Sequence, residues 1–243
     1  MLVYKHILET TAKGKKLFAV LIDPDKFELA HTENFIKKVN VSIASHIFVG
    51  GSFVADNATE ILVETIKRHT DLPVVLFPGD VSQITENADA LLFLSLLSGR
   101  NTDYLIGKHI KAVSRLRDTN LEVIPTGYIL IESGAKTAVS RVTGTSAMSR
   151  TKIQPIVDTA SAGQFLGMRL IYLEAGSGAK QPVTNAIIKA VKSELQIPLI
   201  VGGGLRTKSQ IENAYASGAD VVVVGTAFEE DEGLFQELKK NKD

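Results

Sequence analysis

Eight short apolar runs, each followed by a longer connecting segment, recur along this chain at 17–22, 46–49, 74–77, 90–94, 122–125, 170–174, 199–201 and 221–224. Each is rich in Val, Ile, Leu or Phe and bounded by turn residues, the pattern of strands buried on both faces. Helical periodicity fills most of the gaps, at 55–69, 102–117, 153–165, 182–195 and 207–217. Strands joined by crossover helices pair in parallel, so the pattern predicts either a (β/α)8 TIM barrel or an open doubly wound sheet. The turns decide between them. A dinucleotide-binding sheet wants a glycine-rich turn after its first strand, and here that turn reads Asp23-Pro24-Asp25-Lys26. The glycines follow the seventh and eighth strands instead, where a barrel places its phosphate site. No linker-like stretch divides the 243 residues, so one barrel domain is expected over 1–243. The connection 78–89 is too short for a full helix, which predicts a degraded third helix; the Ser/Thr/Gly-rich stretch 137–151 reads as a loop.

Composition removes several classes of function. Lys plus Arg and Asp plus Glu both total 27, so no net field draws the chain to nucleic acid. There is no cysteine, which rules out thiol catalysis, disulfides and Cys-ligated zinc. The five histidines show no metal-like spacing. No apolar run reaches membrane-spanning length, and the first 16 residues read as an amphipathic helix without a signal-peptide core. A cytoplasmic protein is expected, with peripheral membrane contact open to it and a closed homo-oligomer the usual state.

The chemistry gathers at the strand ends. Gly202-Gly203-Gly204 and Gly225-Thr226 end the last two strands, where amides free of Cβ interference can approach an anion. Strand alternation in Leu170-Ile171-Tyr172-Leu173-Glu174 turns Tyr172 and Glu174 into the lumen. A carboxylate there is a candidate base or ligand, or half of an ion pair with a lumen Lys or Arg. Gly176-Ser177-Gly178 adds amide donors beside it. Across the mouth, Asp23, Asp25 and Ser52 are hard oxygen ligands suited to Mg2+, although Asp25 also reads as a helix cap. Arg100 reads either as a clamp for an anion or as a surface arginine.

Taken together, LIDPDK at 21–26, FVGGS at 48–52, LFPG at 76–79, LSGRN at 97–101, PTGYILIESG at 125–134, YLEAGSGA at 172–179, VGGGLRT at 201–207 and VVVGTAFEED at 222–231 resemble the geranylgeranylglyceryl phosphate synthase family, which includes the heptaprenylglyceryl phosphate synthases. The resemblance spans nearly the whole chain and is specific where YLEAGSGA joins IDPDK. It implies a prenyltransferase that joins a polyprenyl diphosphate, geranylgeranyl by expectation, to sn-glycerol 1-phosphate as an ether and releases diphosphate. It places the glycerol phosphate on Tyr172, Leu173, Glu174, Ala175, Gly176, Ser177, Gly178, Gly203, Gly204, Gly225 and Thr226, with Glu174 and Tyr172 catalytic. It places Mg2+ on Asp23 and Ser52. The family also lacks a normal third helix, and the DDxxD motif of helical prenyl synthases is absent here. Thr126 stands where some members carry glutamate, a departure that resembles the family's second group. The tail groove is expected to involve Leu96, Leu97, Ile129 and Leu130, near the strand ends, although core packing explains them equally well. Rival readings are a flavin-dependent or phosphosugar barrel, which shares the glycine motifs, and a phosphate sensor without catalysis.

Overall fold

The computed structural model describes residues 2–225, 228 and 233–239. Its strands are β1 (Leu17–Ile22), β2 (His46–Val49), β3 (Val74–Leu76), β4 (Ala90–Leu96), β5 (Glu122–Leu130), β6 (Leu170–Glu174), β7 (Leu199–Gly202) and β8 (Val221–Val224). All pair in parallel, and β8 returns to β1, Leu17 opposite Val221 and Val20 opposite Val224, so the barrel closes. Around it run α1 (Val3–Ala12), α2 (Thr32–Val41), α3 (Ala58–Lys67), α4 (Lys108–Leu116), α5 (Ala138–Thr143), α6 (Ile153–Phe165), α7 (Asn185–Glu194), α8 (Lys208–Ala216) and α9 (Gly233–Glu237). Among the described residues no helix is long and apolar enough to cross a membrane.

The sheet divides two apolar layers. Outward side chains such as Val20, Val49, Leu173 and Val201 pack against the helices. Inward ones such as Ala19, Phe48, Leu92, Tyr172 and Val223 fill the lumen. Helix α1 lays Val3 and Ile7 over the amino end of that inner layer. The Glu122 carboxylate at the foot of β5 accepts the backbone N–H groups of Val3 and Tyr4, satisfying donors that a helix start leaves free. The plug is thereby fastened to the barrel wall.

Strand positions follow the apolar runs, with two extensions. β4 continues to Leu96, and β5 passes through Pro125 to Leu130. Proline removes one donor, but its carbonyl still accepts from the Arg169 amide at 2.8 Å, so the ladder carries on. Asp25 does not cap a helix: its own amide donates to Asp23 Oδ1 at 3.2 Å, and α2 starts only at Thr32. The expected loop at 137–151 holds the short helix α5, capped by the Thr137 hydroxyl and ended by Gly144 at φ 64°.

The third helix is reduced to a single turn, Val81–Gln83. Side chains hold this turn in place of a packed helix face. Gln83 Nε2 donates to the Gly51 carbonyl at 2.9 Å while its Oε1 accepts from Gly79 N at 3.2 Å. Asp80 caps the turn through Ser82 N and pairs with Lys108 of α4. Behind it, β3 and β4 share only two registered pairs, Val75 with Ala90 and Leu76 with Leu91. The helical layer of the wall is therefore open at this point, although the sheet beneath it is closed.

His46 lies in the lumen near its amino end, its Nε2 without a hydrogen-bond partner. Burial, and then the neighbouring His6, push its imidazole down from 6.5 to about 3. The folded chain keeps it neutral, whereas the unfolded chain protonates it near pH ~6.5. Stability from His46 is thus fully present above that pH and is lost as pH falls toward 3, by up to about 1.4 kcal/mol per unit. Thermal denaturation from pH 4 to 8 should show a shallower acid slope in His46→Phe than in the parent; equal slopes would assign the acid sensitivity elsewhere.

Candidate active site

Glu174 ends β6 with its carboxylate in the lumen mouth, buried, and Oε1 accepts the Gly176 amide at 2.6 Å. No Lys or Arg pairs with it among the described residues, so the ion-pair reading of this residue does not hold. Burial pushes its carboxyl up from 4.5 to about 7, against the opposing pull of the Gly176 amide and the Tyr172 hydroxyl. That hydroxyl is itself buried and completes no hydrogen bond of normal geometry, although it stands close enough to favour the ionised carboxylate. Phe77 stacks on the Tyr172 ring at 5.1 Å and Tyr128 tilts against it at 5.5 Å. Burial and the nearby Glu174 raise both tyrosines well above the ordinary value, so they stay protonated donors.

Two glycines let this group of polar atoms close up. A Cβ on Gly202 would fall 2.4 Å from the Tyr172 hydroxyl and 3.0 Å from Glu174 Oε2. One on Gly203, whose φ is 81°, would fall 2.2 Å from Glu174 Oε1 and 2.6 Å from the Gly176 amide. Ser177, Gly178, Gly204 and Gly225 line the same opening. Leu173 and Ala175 turn their side chains into the outer layer, so only their backbone faces the site, and the Ala175 amide is already bonded to Gly202 O. Thr226 lies outside the described residues.

Facing them are the loops after the first three strands. Asp23 Oδ1 lies where a Gly51 Cβ would come within 2.4 Å, and a Gly79 Cβ would come within 3.0 Å of Ser52 Cα. These contacts stack Asp23, Gly51-Ser52 and Gly79 at one edge of the mouth. Lys26 reaches across it: its Nζ is 3.2 Å from Asp23 Oδ2 and 3.3 Å from Ser177 Oγ.

Both edges line a single cavity of about 400 Å³. Its polar end holds Asp23, Ser52, Glu174 and Gly203; its other end is lined by Ile84, Leu92, Phe93 and Ala112, beside the short turn that follows β3. Of the four residues expected to line an apolar groove, Leu96 alone does so. Leu97 packs toward Gly127 and Gly163, Ile129 belongs to the outer layer and Leu130 to the lumen core. Alternation along β4 would have found Leu92 and Leu94, but nothing local announces that Ile84 and Ala112 meet them. Arg100 donates to the carbonyls of Leu97 and Gly99 in its own turn and does not line the cavity, which makes it a loop staple.

Gly203→Ala should displace Glu174 and the 176–178 loop together, because clash and left-handed backbone act at one position. The expected result is at least about tenfold weaker inorganic phosphate binding by calorimetry, with roughly 1–3 kcal/mol lost in stability. Unchanged phosphate affinity would separate the glycines from the anion site.

Residues 10–242 match the PcrB family. The chain is 52% identical over 233 residues to the geranylgeranylglyceryl phosphate synthase of Flavobacterium johnsoniae, covering 96% of each chain. It is 39% identical to the enzyme of that name from Pyrococcus abyssi, over 98% of this chain and 94% of the relative. The structure superposes on the (S)-3-O-geranylgeranylglyceryl phosphate synthase of Thermoplasma acidophilum in complex with sn-glycerol-1-phosphate, with a TM-score of 0.92 at 34% identity, covering 98% and 96% of the two chains. Full-length sequence likeness and shared architecture therefore agree, and the chain belongs to the PcrB family, together with relatives that bear the name geranylgeranylglyceryl phosphate synthase.

Proposed function

We propose that this protein transfers a geranylgeranyl group from its diphosphate to a hydroxyl of sn-glycerol 1-phosphate, making an ether and releasing diphosphate. One observation carries the reading: a buried carboxylate with a pKa of about 7 stands between a glycine-rich anion cradle and a cavity whose far arm is apolar. A flavin or phosphosugar barrel has no use for that arm, and a sensor has no use for a base.

In this reading the amides of 177–178 and 203–204 hold the glycerol phosphate, while the Gly176 amide holds Glu174. The Tyr172 hydroxyl, unpartnered in the free chain, donates to the attacking oxygen and fixes its direction. Glu174 accepts the proton of the attacking glycerol hydroxyl as the new C–O bond forms at the allylic carbon. The bond to diphosphate breaks with its electron pair on the leaving oxygen. The apolar arm takes the tail and excludes water from the electron-poor carbon.

Asp23 and Ser52 suit a Mg2+ ion. Their donors are hard oxygens, Gly51 leaves the space that a Cβ would fill, and one carboxylate suffices where diphosphate oxygens complete the shell. Among the described residues no group of three acidic or histidine side chains offers an all-protein site. When bound, such an ion neutralises charge on the departing diphosphate. Self-association fits the same picture, since Phe165, Leu166 and Ile110 leave large apolar side chains exposed at 84%, 75% and 67%. Light scattering should report a closed oligomer; a strict monomer would refute this part.

Purified protein incubated with Mg2+, labelled glycerol 1-phosphate and geranylgeranyl diphosphate should yield organic-extractable label. Glu174→Gln should keep glycerol phosphate affinity and lose turnover by on the order of 10² to 10⁴. In the parent, kcat/KM should rise with pH and level off above about 7, since the ionised carboxylate is the active form. The same residue costs stability: its folded pKa lies above the unfolded one, so stability falls as pH rises from 4.5 through 7, by up to roughly 3 kcal/mol. Glu174→Gln should accordingly melt higher than the parent at pH 8. Normal turnover in this variant would remove Glu174 from the role of base.

A further inference from the structure

We propose that Lys26 is a shared binding residue, a cation that leaves Asp23 for the phosphate of the bound polyol when metal and diphosphate arrive at the opposite edge. This rests on the two-anion reading of the site and adds a residue to it. The glycine loops offer amide dipoles and no formal charge, so a phosphate dianion held there still needs a cation. Among the described residues four Lys and Arg side chains line the cavity, and three donate elsewhere. Lys108 donates to Asp80 and to the Gly79 carbonyl. Arg206 donates to the Ala179 carbonyl at 2.9 Å. Arg141 donates to the Lys136 carbonyl at 3.2 Å from α5.

Lys26 touches both edges. Its Nζ stands 3.3 Å from Ser177 Oγ, in the middle of the phosphate loop, and 3.2 Å from Asp23 Oδ2. A lysine ammonium carries three donors on a flexible stem. It can keep Ser177, release Asp23 and take a phosphate oxygen without any backbone movement. Half of its side chain is exposed, so its pairing with Asp23 is screened and readily given up. Once Asp23 turns to a metal ion, the ammonium loses its counter-charge, and the phosphate beside Ser177 becomes its nearest anion. Occupying one edge therefore strengthens binding at the other.

Calorimetry tests this with three probes: glycerol 1-phosphate alone, Mg2+ with inorganic diphosphate, and glycerol 1-phosphate added to protein already holding Mg2+ and diphosphate. In the parent, glycerol 1-phosphate should bind more tightly in the third titration than in the first. Lys26→Met should weaken it about tenfold and abolish that difference, while Lys26→Arg should restore much of both. Circular dichroism melts of both variants should match the parent, and Lys26→Gln replaces Lys26→Met if the latter does not fold. Glycerol 1-phosphate affinity within twofold of the parent in the folded neutral variant overturns the proposal. Loss confined to Mg2+-diphosphate binding also overturns it, by moving Lys26 to the other edge. If the parent itself binds no glycerol 1-phosphate, the functional reading fails before the role of Lys26 is reached.

Discussion

The mouth of this barrel is organised around one desolvated carboxylate. Glu174 is buried with no Lys or Arg paired to it among the described residues, and burial of that kind pushes a carboxyl up, here to about 7. Its neighbours follow from that constraint. Gly202 and Gly203 end β7 without side chains because Glu174 and Tyr172 occupy the space their Cβ atoms would need. The Gly176 amide, and after it the Tyr172 hydroxyl, supply the stabilisation that keeps the pKa from rising further. Had a lysine filled the lumen beside it, the carboxylate would be permanently ionised and a weaker base.

The second constraint is a missing helix. A regular barrel covers every strand pair with a crossover helix, and such a cover over β3 and β4 would leave no passage outward. Here the connection is cut to one turn, held by Gln83 against Gly51 and Gly79 and by the Asp80–Lys108 pair against α4. These polar contacts replace an apolar helix face, so the turn stays in place while the apolar surface of β4 and α4 is left free to line a cavity. A closed sheet and an open wall coexist because the barrel's hydrogen bonds need the strands, not the helices, to be continuous.

Much of this was legible in the sequence because it is local. The eight apolar runs gave the strands, and alternation alone put Tyr172 and Glu174 inside. The thin 78–89 segment announced the missing helix. What escaped depends on contacts between distant segments. Pro125 reads as a strand end, yet its carbonyl accepts the Arg169 amide just before β6 and β5 runs on, bringing Tyr128 into the lumen. Asp25 reads as a cap because Asp often is one, but its amide is drawn to Asp23. Leu97 and Ile129 are as apolar as true groove residues; the difference is that one faces Gly127 and Gly163 and the other the outer layer. The raised pKa of Glu174 belongs to no motif, since it is the sum of everything excluded from around it.

A barrel also solves a charge problem that a flat site would not. Two phosphorylated substrates repel one another, yet their reacting atoms must come within bonding reach. In the proposed reaction, one anion on the loops of β6 to β8 and the other on the loops of β1 to β3 would keep the two charges on opposite edges of the mouth. The uncharged ends, a hydroxyl and an allylic carbon, are left to meet over the lumen, above Tyr172 and Glu174. The chain can then spend its cations sparingly, which suits a protein whose basic and acidic residues are equal in number. In this arrangement loops on both edges of a closed barrel, with one lysine between them, do the work that a dense patch of arginines would do on an open surface.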